Sequence, residues 1–192
     1  MAFPLLRTLA PFLPSRTLGP ATMAQFIELF RQYETALNGG DTEAIADCYA
    51  DRFLHLTRRG DSWVHDWRRN NAEFRSILDR AGDWYRKLGA RRFSARSLVE
   101  NKLHPSHSLA RVVWAVLNGP GAEIVSFEVT FMVRMREGQG AIVGLVAHNE
   151  RRRVEESGFS LASADLYFDL PHNDFNAISG MRRSPLGVRE TG

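Results

Sequence analysis

Two histidines in short, strand-like stretches of this sequence could together carry acid–base chemistry. His55 lies within "RFLHLTR" (52–58), and His148 lies near the end of "AIVGLVAHN" (141–149). Histidine titrates closest to neutral pH, so two imidazoles that faced one apolar cavity could act as general acid and general base. The structural alternative is that each ring stays neutral and bonds to a backbone carbonyl. His55 and His148 are the candidate catalytic residues.

Six aromatic side chains are candidates for the wall of such a cavity. Indole and phenol groups are largely apolar, yet they can donate a hydrogen bond to a ligand oxygen. Trp63 is the strongest candidate, because it precedes a predicted long helix and does not lie on that helix's apolar stripe. Packing in the core is the alternative for most of the set, which comprises Tyr33, Tyr49, Trp63, Trp67, Trp114 and Phe131.

Metal and cofactor motifs are missing from the sequence. His104 and His107 share a turn without a nearby cysteine or carboxylate, which predicts a solvated turn rather than a zinc site. The chain also lacks a phosphate-binding glycine loop, a nucleophile elbow and a nucleotide fingerprint. We therefore expect neither a metal nor a cofactor.

Basic residues are numerous but are mixed with acids. The formal net charge is +3 and the pI is near 9.4. The doublets Arg58-Arg59 and Arg68-Arg69 flank Trp63 and Trp67, which would permit an anionic ligand nearby, although solvated faces are commoner for such residues. Nucleic acid is not the expected partner.

The elements that must position these residues change type near residue 90. Before it, apolar residues recur at helical spacing after Thr22, after Asp41 and over 66–88, where Asp66 is the expected N-cap of a long third helix. Beyond it, strand-like alternation runs through 92–104, 109–118, 123–137 and 141–149. Helices that precede an antiparallel meander predict an α+β fold.

The closing hairpin indicates which side chains share a face of the sheet. Its first strand is apolar at every odd position from 125 to 135, so that face should pack under the helices. A two- or four-residue turn within "EGQG" places Val129 opposite His148, and so puts His148 on this inner face. A three-residue turn would invert the assignment. In the favoured register, the outer face of the second strand is apolar as well, because it carries Val143, Leu145 and Ala147. An apolar outer face predicts a homodimer.

Residues 30–56, "FRQYETALNGGDTEAIADCYADRFLHL", and 127–150, "FEVTFMVRMREGQGAIVGLVAHNE", carry a resemblance to a known superfamily. The pattern resembles SnoaL-like, or nuclear-transport-factor-2-like, proteins of the ketosteroid-isomerase type. The resemblance implies a cone of three N-terminal helices on a strongly curved, mostly antiparallel sheet, with His55 directed inward. Members include isomerases, dehydratases, cyclases, epoxide hydrolases and non-catalytic, often dimeric, modules, so fold is better indicated than reaction.

The carboxylate that such chemistry needs is hard to place. A ketosteroid-isomerase-like mechanism requires Asp or Glu on the concave face, whereas Glu128 falls on the other face, Glu150 at a strand end and Asp51 at a helix–strand junction. An Asp–Arg–Asp relay cannot be placed either. We therefore expect binding of a small apolar molecule, with any turnover through His55 and His148. A non-catalytic dimerisation or protein-binding module is the alternative.

The flanks differ from the central segment in composition. Four prolines interrupt the acid-free leader 1–23, which predicts a flexible segment or, less well, a transit peptide. Residues 24–150 are the expected domain, and 151–192 a flexible or partner-docking tail. The single cysteine, Cys48, indicates a reducing compartment such as the cytoplasm, and the apolar runs are too short to cross a membrane.

Overall fold

The part of the chain that the computed structural model describes, residues 20–59, 62–136 and 139–158, contains four helices and six strands. The helices are α1 Pro20–Gly39, α2 Thr42–Asp47, α3 Ala72–Lys87 and α4 Glu150–Glu156. The strands are β1 Tyr49–Arg59, β2 Ser62–Arg69, β3 Arg92–His104, β4 His107–Leu117, β5 Glu123–Arg136 and β6 Gln139–Ala147.

The six strands form one unclosed sheet in the order β2-β1-β6-β5-β4-β3. Every neighbouring pair is antiparallel except β1 and β6, which run parallel. Aromatic rings join the helices to one face of this sheet: Phe30 lies 5.4 Å from Phe131, and Tyr33 lies 5.9 Å from Trp114, between ring centroids. The fold is α+β with a mostly antiparallel sheet, as the order of helices and strands predicted.

Gly40 and Asp41 determine how the chain enters α2. Gly40 has φ +64°, a left-handed conformation that glycine adopts without steric cost. The Asp41 side chain then accepts a hydrogen bond from the Ala44 amide at 2.9 Å and caps the helix. This tight connection places Tyr49, the first residue of β1, close to α1, where the Tyr33 and Tyr49 hydroxyls lie 3.1 Å apart.

The third helix begins later than the sequence predicted. Residues 62–69 form β2, which pairs with β1, and α3 begins at Ala72 with Asn71, not Asp66, as its N-cap. Burial along β2 alternates with period two, from exposed Trp63 to half-buried Val64 and onward. That alternation is typical of a strand with one face toward solvent.

The predicted faces of the closing hairpin hold only near its turn, where the partners are shifted by two residues from the predicted pairing. Arg136 pairs with Gln139 and Val133 with Ile142, which keeps the predicted faces. The next pair is Met132 with Gly144, so one extra residue, Val143, is accommodated as a bulge in β6. A bulge moves every later side chain to the opposite face. The predicted outer residues Leu145 and Ala147 therefore point inward, and the predicted dimer surface is wrong.

Helix α4 extends the ordered fold past residue 150, where the sequence analysis ended the domain. Val154 is fully buried in the hydrophobic core, and the Arg153 Nε donates to the Ser126 carbonyl at 3.3 Å. Most of the predicted leader and tail, residues 1–19 and 159–192, lies outside the described residues. Within the described part, none of the helices is long and apolar enough to span a membrane.

Candidate functional site

A cavity of about 290 Å³ lies between the helices and the inner face of the sheet. Its wall includes Tyr33 of α1, Tyr49 of β1, Trp114 of β4 and Phe131 of β5. These four aromatic residues were predicted to contact a ligand, and the fold brings them together. Each is less than a tenth exposed, so they form a packed, apolar interior surface.

The other two predicted wall residues lie elsewhere. Trp63 and Trp67 are 51% and 55% exposed and stand on the outer face of β2. Trp67 pairs with Leu54 of β1, whose neighbour in β6 is Gly144, so all three share that outer face. The prediction that these tryptophans line the cavity is wrong, because residues 62–69 form a strand instead of a turn and the start of a helix.

His55 borders the cavity, as the resemblance implied. It lies on β1 between Asp66 of β2 and Leu145 of β6. Burial, and to a smaller extent the charge of Arg68, lowers the pKa of the His55 imidazole to about 3. The ring is therefore neutral at physiological pH and can donate or accept a hydrogen bond, but it does not take up a proton near neutral pH.

His148 does not face the cavity with His55. The bulge at Val143 turns it to the outer face, where its Nε2 lies 2.8 Å from the Thr130 hydroxyl and 3.9 Å from the Glu128 carboxylate. The Trp63 ring meets it edge-on, with 6.4 Å between centroids. The predicted histidine pair is thus divided between the two faces of the sheet, and the expectation of a shared cavity is wrong.

Glu150 supplies the cavity carboxylate that the sequence analysis did not place. It is the first residue of α4, is 8% exposed and borders the cavity. The Tyr85 hydroxyl donates a hydrogen bond to its Oε1. A sequence signal existed: Glu150 and Val154, four residues apart, share one face of a short helix, and Val154 is the single apolar residue in "ERRRVEES".

The environment of Glu150 fixes both its position and its charge. Val154 anchors α4 in the core, while the Tyr85 ring packs against Phe93 and Phe127 at centroid distances of 5.0 and 6.3 Å. Burial raises the pKa of the Glu150 carboxyl to about 7, and the Tyr85 hydrogen bond opposes part of that rise. Such a group exchanges protons readily near neutral pH, as a general acid or base must.

Arg68 forms a charged part of the wall near His55. Its Nη2 lies 3.1 Å from the Asp66 carboxylate, and the two side chains are 17% and 26% exposed. The Arg68 Nε is buried without a hydrogen-bond partner. An unsatisfied buried donor costs about 1–3 kcal/mol, so the Arg68 guanidinium is incompletely paired within the protein.

The Tyr33 and Tyr49 hydroxyls form a hydrogen-bonded pair inside the cavity, 3.1 Å apart. Burial raises the pKa of the Tyr33 phenol well above its usual range, so the proton stays on the oxygen. The pair can therefore offer a hydrogen bond to a ligand without carrying charge. Within the described ranges, the His, Cys, Asp and Glu side chains form no group that could hold a metal ion.

A family model described as "NTF2-like protein (DUF6841)" matches residues 24–150. The chain belongs to this NTF2-like family. None of the functionally curated proteins matches the sequence.

Solved structures share this NTF2-like fold at low identity. A cystatin-like-fold domain of unknown function from Nostoc punctiforme is 19% identical, with a TM-score of 0.55 over 79% of this chain and 94% of that one. A protein of unknown function from Mycobacterium tuberculosis is 17% identical, with a TM-score of 0.53 over 78% and 88%. An NTF2-like protein of unknown function from Pseudomonas putida is 13% identical, with a TM-score of 0.51 over 68% and 87%. These likenesses establish the fold alone.

Proposed function

We propose that this NTF2-like protein binds a small, mainly apolar organic molecule in its cavity and transfers a proton on it through Glu150. One observation carries the proposal: a buried carboxyl with a pKa near 7 stands in the wall of an apolar cavity. A pocket with apolar walls and a few convergent polar groups is typical of small-molecule sites. The reaction class is isomerase, cyclase or dehydratase.

Each polar group of the cavity has a separate role in the proton transfer. The Glu150 carboxylate takes a proton from carbon next to a ligand carbonyl and returns it at a second position. Neutral His55 and the Tyr33–Tyr49 pair donate hydrogen bonds to the carbonyl oxygen as negative charge develops there. Tyr85 holds the Glu150 side chain in place. His148, on the outer face, takes no part.

A non-catalytic dimerisation or protein-binding role is the second candidate, and the outer face of the sheet favours it. Trp63, Trp67 and Met132 are 51%, 55% and 39% exposed there. Large exposed apolar side chains on one sheet face are typical of a protein contact surface. We propose that a homodimer forms through this face rather than through Leu145 and Ala147, which border the cavity.

A reducing compartment such as the cytoplasm suits the chemistry of Cys48. The residue is a buried free cysteine, and burial raises the pKa of its thiol to about 11. A buried thiol that stays protonated reacts slowly, because the thiolate is the form that forms disulfides.

The indole N–H signals of the four tryptophans test the binding site, because they report from different places. Trp114 borders the cavity, whereas Trp63 and Trp67 lie on the outer face. We expect the neutral ketone 2-acetylnaphthalene to shift the Trp114 signal and leave those of Trp63 and Trp67 in place. Shifts confined to the outer two would reject the cavity and favour the contact-surface role.

Proton transfer is tested with the same ketone in D₂O. Exchange of its acetyl protons for deuterium, followed by NMR, should be faster with the protein than in buffer alone. Glu150→Gln should lower the protein-dependent rate by about 100-fold or more, in the range that general acid–base groups contribute. An unchanged rate in that variant would exclude Glu150 as the base.

A further inference from the structure

Arg68 has more hydrogen-bond donors than partners inside the protein. A guanidinium carries five N–H donors in a planar fork. Among the described residues, the ion pair of Arg68 is a single contact of Nη2 with Asp66, and its Nε is buried without a partner. The favoured arrangement for a buried arginine is a two-pronged pair with one carboxylate. Asp66, two residues earlier on the same strand face, does not provide it.

The acids that border the cavity already have hydrogen-bond partners. Glu150 accepts a hydrogen bond from Tyr85, and Asp79 accepts one from the Thr42 hydroxyl. His55, beside Arg68, brings no negative charge. The positive charge of Arg68 therefore has one partly exposed carboxylate to balance it, while the neighbouring wall is apolar.

We propose that the cavity ligand is a small apolar carboxylic acid whose carboxylate binds the Arg68 guanidinium while its apolar body fills the space beside Trp114. This inference rests on the proposed function and names its substrate class. A ligand carboxylate supplies acceptors for the Nη donors of the partly exposed guanidinium that Asp66 leaves unused, because the buried Nε is not accessible from the cavity. It also orients the molecule, because a planar fork fixes both the position and the angle of its partner.

Two probes of equal shape separate charge recognition from simple filling of the cavity. Sodium 2-naphthoate is an anion at pH 6, and 2-naphthamide is its neutral counterpart. Affinity for each is measured by titration calorimetry with the full chain. We expect the carboxylate to bind at least about tenfold more tightly than the amide, as a charge-assisted pair does compared with a neutral one.

Variants at two arginines locate the preference. Arg68→Gln should abolish the preference for 2-naphthoate and keep binding of 2-naphthamide, while Arg68→Lys should keep a reduced preference because it retains charge without the fork. Arg80→Gln is the matched control. Arg80 also has a buried Nε without a partner, but it does not border the cavity. This control should bind both probes as the unmodified protein does.

Each outcome is decisive. Equal affinity for the two probes in the unmodified protein overturns the carboxylate inference and leaves the proposed cavity intact. A preference that survives in folded Arg68→Gln assigns it to another residue and also overturns the inference. Should Arg68→Gln fail to fold, a preference undiminished in Arg68→Lys overturns it as well. Failure of both probes to bind rejects the ligand cavity itself.

Discussion

The Tyr85 hydroxyl donates a hydrogen bond to the Glu150 carboxyl across 65 positions of sequence, inside the cavity wall. This contact joins α3 to the first turn of α4 and fixes an acidic side chain that is buried and has a pKa near 7.

Glu150→Gln should change how stability depends on pH. Because the folded-state pKa of Glu150 is raised from 4.5 to about 7, the folded protein holds this proton more tightly than the unfolded chain does. The contribution of this proton to the free energy of unfolding is roughly 3 kcal/mol. It is fully present below pH 4.5 and is lost as the pH rises through 7. In urea unfolding between pH 5 and 8, the free energy of unfolding of the variant should rise relative to that of the unmodified protein. Parallel curves would contradict the assignment.

Tyr85→Phe should raise the pKa of Glu150 further. The hydrogen bond from Tyr85 favours the ionised carboxylate, so its removal leaves burial unopposed. We expect a loss of about 1 kcal/mol of stability at neutral pH and an upward shift of the carboxyl titration by NMR. Tyr33→Phe removes a different cavity hydroxyl and should leave that titration nearly in place.

His55 should remain neutral across the physiological range. Burial and the Arg68 charge place its pKa at about 3. Its contribution to stability is present above pH 6.5, the ordinary value, and is lost as the pH falls toward 3, since the unfolded chain takes up the proton first. Its ring-proton shifts should stay constant from pH 8 to pH 5. A midpoint within that interval would place His55 in solvent.

The segment that is needed for full stability should extend beyond residue 150. Val154 is fully buried and anchors α4. A chain that ends after Gly158 should unfold cooperatively, whereas one that ends after Asn149 loses this anchor and should be less stable by about 2 kcal/mol or more. Equal melting temperatures for the two chains would show that α4 contributes nothing.

A homodimer through the outer sheet face should depend on Trp67. Replacing this exposed residue with Lys should yield a monomer by light scattering, because a charge then stands in the apolar contact. Ile27→Lys, at an exposed helical position outside the sheet, is the control and should not alter the mass. A monomeric unmodified protein at high micromolar concentration would contradict the proposal.

The sequence was informative where a pattern had one structural meaning. The α+β order, the helix after Asp41 and the inner position of Phe131 followed from spacing and alternation. It was ambiguous where patterns overlapped. Trp67 and Phe74 are seven residues apart, which fits a helical stripe, although Trp67 belongs to an edge strand.

The faces of β6 could not be derived from the sequence, and the physical reason is specific. The stretch 141–147 is apolar at both odd and even positions, so no change in alternation marks the extra residue at Val143. That one bulge decides the direction of Leu145 and His148. Glu150 was set aside as a residue at a strand end, because the charge-rich stretch that follows usually indicates solvent, whereas the single Val154 makes it a buried contact.

The most direct test of the account is the ionisation of Glu150 itself, with and without a molecule in the cavity. Carbon-13 NMR of glutamate-labelled protein, with Glu150→Gln to assign the signal, should give a carboxyl midpoint near pH 7. Saturation with 2-acetylnaphthalene should displace that midpoint, because the ligand removes water from the same wall. A midpoint near pH 4.5 that does not change when the ketone is added would mean that Glu150 faces solvent and that the proposed site does not exist.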